Sequence, residues 1–180
     1  MIRASSCAIF FGLVLLAFRA LATSPLSPAL GSDMPGATCS TPSYREFDFW
    51  LGDWDVFEID GTAPVAHVRV ERTLDGCALR ETYESTDGMR GESLSAYDAS
   101  RQLWQQSWFT NRGQLLVIEG HRNAAAMVLQ GTRKSAEGVE IVRGTWKPES
   151  AGVRDTAVTS TDGGKTWKPW FDLMFRKYSK

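Results

Sequence analysis

From Trp54 onward the chain is a succession of short strand-like runs separated by tight-turn residues, and this regularity constrains the fold more than any other feature. The runs are Trp54–Ile59, Ala66–Thr73, Cys77–Glu84, Glu92–Asp98, Gln102–Thr110, Gln114–His121, Ala125–Arg133, Gly138–Trp146, Val153–Ser160 and Thr166–Tyr178. Between them stand Asp60-Gly61, Asp75-Gly76, Asp87-Gly88, Asn111-Arg112-Gly113, Arg122-Asn123 and Asp162-Gly163-Gly164. Gly, Asn and Asp there supply the positive φ that tight hairpins require. Consecutive strands with uniformly short connections form an antiparallel meander. A long meander must close or leave two edges free to pair with other chains. The expected fold class is therefore all-β, an antiparallel up-and-down β-barrel of about 8–10 strands. A sandwich is the alternative, and it would bring longer Greek-key crossovers.

The strand faces refine this picture. In Ala66–Arg72, Val68 and Val70 face one way and His67, Arg69 and Glu71 the other, so one face is wet. Leu115 and Val117 oppose Leu116 and Ile118, and Trp104 and Trp108 oppose Leu103 and Phe109, so here both faces are apolar. One outer side of the barrel is expected to be covered, by the N-terminal segment or by a second copy in a homodimer.

Ahead of the strands lies Phe47-Asp48-Phe49-Trp50-Leu51-Gly52-Asp53-Trp54-Asp55-Val56. Ser43 with Glu46 three residues later has capping-box spacing, which predicts a short helix over Ser43–Leu51 that ends at Gly52 and plugs one end of the barrel. Residues 23–42 hold four of the seven prolines and read as a flexible linker. Residues 1–22 read as a secretory leader: Arg3, an apolar run from Cys7 to Phe18, and the small-x-small site Ala20-Leu21-Ala22, cleaved after Ala22. The run is too short to span a bilayer, and no later segment is apolar for long enough. The expected location is secreted or periplasmic, with a single barrel domain over residues 43–180.

Losing Arg3 and Arg19 with the leader takes Lys+Arg from 20 to 18 against 21 Asp+Glu, a net charge of about −3. With no basic cluster larger than a pair, nucleic-acid binding has no electrostatic footprint. Cleavage also leaves Cys39 and Cys77, for which a disulfide is the default in an oxidising compartment. It would staple the N-terminal arm to the barrel wall.

Gly52-Asp53-Trp54, preceded by a short aromatic helix and followed by a first strand, resembles the calycins, the superfamily of lipocalins and fatty-acid-binding proteins. The resemblance implies that Trp54 lies at the closed end and that an Arg near the end of the last strand packs over it. Arg176 occupies that position. More of the chain is similar to a family of secreted bacterial proteins of about this length. The matching pieces are the FDFWLGDW segment, Ser95-Ala96-Tyr97-Asp98, Trp104 to Gly113, Gly144-Thr145-Trp146 and Ser160 to Trp167. That likeness carries no established activity.

Ser160-Thr161-Asp162-Gly163-Gly164-Lys165-Thr166-Trp167 fits the Asp-box pattern of β-propellers. Its physical content is a hairpin in which Asp accepts turn N–H groups and Trp packs beneath, so no glycosidase is inferred. His67 and His121, with Glu119, are the conceivable metal ligands, and solvated strand histidines are the plainer reading; no metal or cofactor is expected. No nucleophile motif stands in the chain, and no catalytic residue is assigned. Glu81, Glu119, Asp155 and Asp172 sit among apolar neighbours. Each either points inward, where a raised pKa suits acid–base work, or pairs outside with Arg80, Arg143 or Arg154. Strand parity places Trp170, Asp172, Met174 and Tyr178 with Arg176, and Arg143 with Val139 and Ile141. An interior Arg143 would hold an acidic head group as fatty-acid-binding proteins do, with Trp104, Trp108 and Trp170 as candidate contacts. These three, with Trp146 and Trp167, either line a pocket or are ordinary core or interface aromatics. The expected function is an exported binding protein for a small hydrophobic or amphiphilic ligand. The alternatives are a barrel enzyme of isomerase or cyclase type using an interior carboxylate, and a solid-cored interaction module.

Overall fold

A computed structural model describes residues 39–136 and 138–179. The expected leader and most of the expected linker lie outside the described residues. The chain forms ten antiparallel strands: β1 (Gly52–Glu58), β2 (Ala66–Thr73), β3 (Ala78–Ser85), β4 (Arg90–Asp98), β5 (Leu103–Thr110), β6 (Leu115–Asn123), β7 (Ala126–Ser135), β8 (Gly138–Glu149), β9 (Gly152–Ser160) and β10 (Lys168–Lys177). Each pairs with its sequence neighbours, and β1 pairs with β10, so the meander closes into an up-and-down barrel with no free edge.

The N-terminal plug is present but is not the capped helix expected over Ser43–Leu51. It consists of two 3-10 turns, Pro42–Arg45 and Asp48–Trp50, and the first begins after Thr41 with no side-chain cap. Pro42 and the crowded aromatics favour tight single turns over a continuous α-helix. Phe47 stacks on Trp50 at 5.1 Å and meets Trp146 and Trp104 edge-on at 5.5 and 5.7 Å. Phe47, Trp50 and Trp54 are buried. Arg122 ties the plug to β6 by donating to the Glu46 carbonyl at 2.7 Å.

The Gly-x-Trp segment closes this end. Trp54 Nε1 donates to the Trp50 carbonyl at 3.0 Å. The cation over the Trp54 ring is Lys177, with Nζ 3.7 Å from the ring centroid and 3.0 Å from the Leu51 carbonyl oxygen. This corrects the expectation for Arg176, which packs outside the wall over Phe57 at 4.3 Å. Phe175 and Lys177 share the inner face of β10, and Arg176 lies between them on the outer one. Gly52 has φ +145, and a Cβ there would fall 2.1 Å from Lys177 Nζ, so glycine makes room for the closing ammonium.

The Cys39–Cys77 disulfide joins the arm to the β2–β3 connection, with Cα atoms 4.8 Å apart. Arg45 reinforces it through the Gly76 carbonyl at 2.6 Å. The Asp-box hairpin forms as expected: Asp162 Oδ1 accepts the N–H groups of Lys165 and Thr166, both at 2.9 Å, and Trp167 Nε1 donates to the Gly164 carbonyl. On β5 and β6 both faces are apolar. Trp108, Leu116 and Ile118 point inward, while Phe109 and Val117 remain exposed outside beside Leu94 of β4.

Candidate functional site

The strands leave unfilled space above the plug. Trp146 and Phe175 reach from the aromatic cluster at the closed end into the floor of a cavity of about 820 Å³. Its wall includes Tyr83, Trp108, Leu116, Ile118, Val142, Ala157, Phe171 and Leu173. Met89, Gly113, Gln114, Lys134 and Ser135, in or beside the β3–β4, β5–β6 and β7–β8 hairpins, form the opposite, open end. That volume fits a small organic molecule, and the interior is not solid.

Trp108 is held upright by Tyr83, whose ring meets it edge-on at 5.8 Å, and by Gly91, where a Cβ would lie 2.3 Å from the indole. Trp170 stands at the mouth, where the β10 register shifts between Pro169 and Phe171, and the Arg133 guanidinium lies over it at 3.9 Å. Arg133 also bonds Glu140 at 2.9 Å. Of the expected tryptophan contacts, Trp108, Trp146 and Trp170 line the cavity, whereas Trp104 packs below it against Phe47 and Tyr97.

Arg143 does not face this space. On β8 the buried set is Glu140, Val142, Gly144 and Trp146, so the alternate residues point out. Arg143 stacks on Trp167 at 4.0 Å and donates to Gln130 Oε1 at 3.0 Å on the outer wall. The parity grouping with Val139 and Ile141 is right, but that face is the outer one, and Val139 is 62% exposed. Glu140 falls on the inner side by alternation with Val142, Gly144 and Trp146, and Arg133 pairs with it there. An acidic head group therefore has no Arg143 to meet inside the barrel.

What the interior does hold is acid. Of the four strand carboxylates, Glu119 and Asp172 lie outside with Arg101 and Arg154. Glu81 and Asp155 are buried and line the cavity. They stand on strands that are not neighbours and face one cavity: β2, β1 and β10 intervene on one side, β4 to β8 on the other. Glu81 Oε2 accepts from Ser93 Oγ at 2.7 Å. Next to Ser93 on the inner face of β4, Ser95 accepts from Gln106 Nε2 at 3.1 Å. Asp155 is flanked across the ladder by Trp146 and Leu173. Its Oδ1 has no hydrogen-bond partner among the described residues, nor does the Trp146 indole N–H.

Burial raises the Glu81 carboxyl to about 7 against the opposing Ser93 bond. Asp155 is raised well above the ordinary range by burial first and then by the charge on Glu81. Each carboxylate disfavours ionisation of the other, so the two titrate as a coupled pair. Tyr83 is pushed up to about 12 by burial and by both carboxylates.

His67 and His121 lie on β2 and β6, which are not neighbours; His67 bonds Asp53 on the outer wall at 2.9 Å. Among the described residues no group of three or more His, Cys, Asp or Glu is placed to hold a metal ion. Ser93, Ser95 and Gln106 escape a reading from sequence because β4 inverts the usual pattern: Ser95 is fully buried while Leu94 is 41% exposed. Neither a protein-family model nor a curated protein matches the chain.

Proposed function

We propose that this is an exported binding protein that holds one small hydrophobic or amphiphilic molecule inside the barrel. The carrying observation is the cavity of about 820 Å³ with aromatic walls, plugged at the Trp54 end and open at the other. The largely apolar and aromatic lining offers packing contacts that an apolar molecule of matching size would make. Export rests on the leader pattern at residues 1–22 and fits the Cys39–Cys77 bond.

A fluorescence titration with N-phenyl-1-naphthylamine, an uncharged apolar probe, tests the reading. Saturable enhancement in the wild type and its loss in Ala157→Phe, which fills the cavity from β9, are expected. No enhancement, or equal enhancement in a folded Ala157→Phe variant, would count against it.

A second reading, an isomerase or cyclase type of enzyme, is favoured by one observation: Glu81, buried in the cavity wall, has its carboxyl raised to about 7, which suits proton exchange near neutrality. Incubating wild type and Glu81→Gln with a small-molecule extract and comparing products by mass spectrometry tests this; identical product profiles would sink it.

A further inference from the structure

We infer that the ligand is an organic cation, an alkyl- or arylammonium compound whose charged end lies between Glu81 and Asp155 and whose apolar body extends past Trp108 and Trp170 to the mouth. This rests on the ligand-binding reading above. The charged groups lining the cavity are sorted by depth. Glu81 and Asp155 stand in the wall, while the basic residues Arg133 and Lys134 belong to the open end of β7, where Arg133 is committed to Glu140 and Trp170.

A ligand entering with a carboxylate head would meet two acids and no base at depth. One entering with an ammonium head would meet two carboxyl groups in a wall that also carries the aromatic rings of Tyr83, Trp108, Trp146 and Phe175. Asp155 adds an independent sign. It is 6% exposed, faces the cavity between apolar cross-strand neighbours, and its Oδ1 lacks a partner among the described residues. A buried carboxyl group left in this state is costly, and an ammonium N–H relieves it.

The other titratable groups around the pair are Tyr83 on β3, Asp87 in the β3–β4 hairpin, Glu140 on β8 and Asp172 on β10, with Arg133 and Lys134 on β7. Of the basic residues, neither Arg133 nor Lys134 shares the depth of Glu81 and Asp155. A bound cation therefore draws the pair toward its ionised form, and a carboxyl proton passes to the buffer as the carboxylate forms.

The experiment compares octylamine, octan-1-ol and octanoate at pH 7 on the disulfide-bonded mature chain. Tryptophan fluorescence reports binding, and calorimetry in two buffers of different ionisation heat counts protons. Octylamine is expected to bind at least about tenfold more tightly than octanol, as a charge-paired site implies, to release a proton, and to outrank octanoate by more. Asp155→Asn should bring the amine-to-alcohol ratio close to one. Glu81→Gln, an isosteric change beside Ser93, should lower it as well and serves if the first variant fails to fold.

Octanol binding as tightly as octylamine, or octanoate binding best, would overturn the cation inference and leave the ligand-binding reading standing. So would octylamine failing to bind while N-phenyl-1-naphthylamine is held. If none of these probes binds, both readings fall.

Discussion

Replacing Glu81 by Gln removes one buried ionisation while keeping an acceptor for Ser93, and its effect on stability follows from the geometry. The folded chain holds a proton on Glu81 up to about pH 7, whereas an unfolded glutamate releases it near 4.5. Between these values the native state binds more protons than the unfolded state, so stability falls as pH rises through the window. Below it both states are protonated and the penalty is absent; above it the penalty is complete. At roughly 1.36 kcal/mol per pH unit the full span is worth about 3 kcal/mol, and Glu81 is buried enough that solvent screening takes little of it away. Asp155 adds a loss of the same sign.

Urea unfolding of the disulfide-bonded protein at pH 4.5, 6 and 8 is the assay, with wild type and Glu81→Gln measured side by side. The variant is expected to match the wild type at pH 4.5 and to exceed it by about 3 kcal/mol at pH 8. If the two lose stability in parallel across the window, Glu81 does not titrate from a buried site. The acid lining on which the ligand class rests would then be wrong.

Two further outcomes follow from the closed end. Lys177→Met removes the cation from Trp54 and the donor from the Leu51 carbonyl, and should cost about 1–2 kcal/mol in urea unfolding, whereas Arg176→Met, on the outer wall, should cost less than half of that. A larger loss for Arg176→Met would return the closing role to it. Replacing both Cys39 and Cys77 by Ser frees a 38-residue separation and should lower stability by about 4 kcal/mol on loop entropy; an unchanged urea midpoint would show that the plug holds without the staple.

The barrel was legible because hairpin chemistry is local. Asp75-Gly76, Asn111-Arg112-Gly113 and Asp162-Gly163-Gly164 each turn the chain through their own backbone preferences, and Ala66–Thr73 coincides with β2 to the residue. The disulfide was legible because Cys39 and Cys77 are the two cysteines outside the expected leader, which leaves one pairing. The face of each strand was less so. On β8 and β10 both alternating sets mix apolar and charged residues, so parity groups Arg143 with Val139 and Ile141 and Arg176 with Asp172 without saying which group points inward, and on β10 the register shift between Pro169 and Phe171 takes Trp170 out of the Arg176 group and onto the cavity.

By itself, then, the sequence indicated an antiparallel meander of about 8–10 strands that favours closure, an aromatic plug and the staple, and these rest on turn chemistry, the cost of free edges and the pairing of two cysteines. Only the tertiary structure decided what lies inside. Glu140 shares the inner face of β8 with Val142, where Arg133 meets it from β7, and Lys177 covers Trp54 where Gly52 leaves room. Glu81 and Asp155 come to share one cavity although 74 positions apart in the numbering of the chain. Those outcomes depend on partners supplied by distant strands, and the physics of a buried charge is set by such partners more than by its neighbours in sequence.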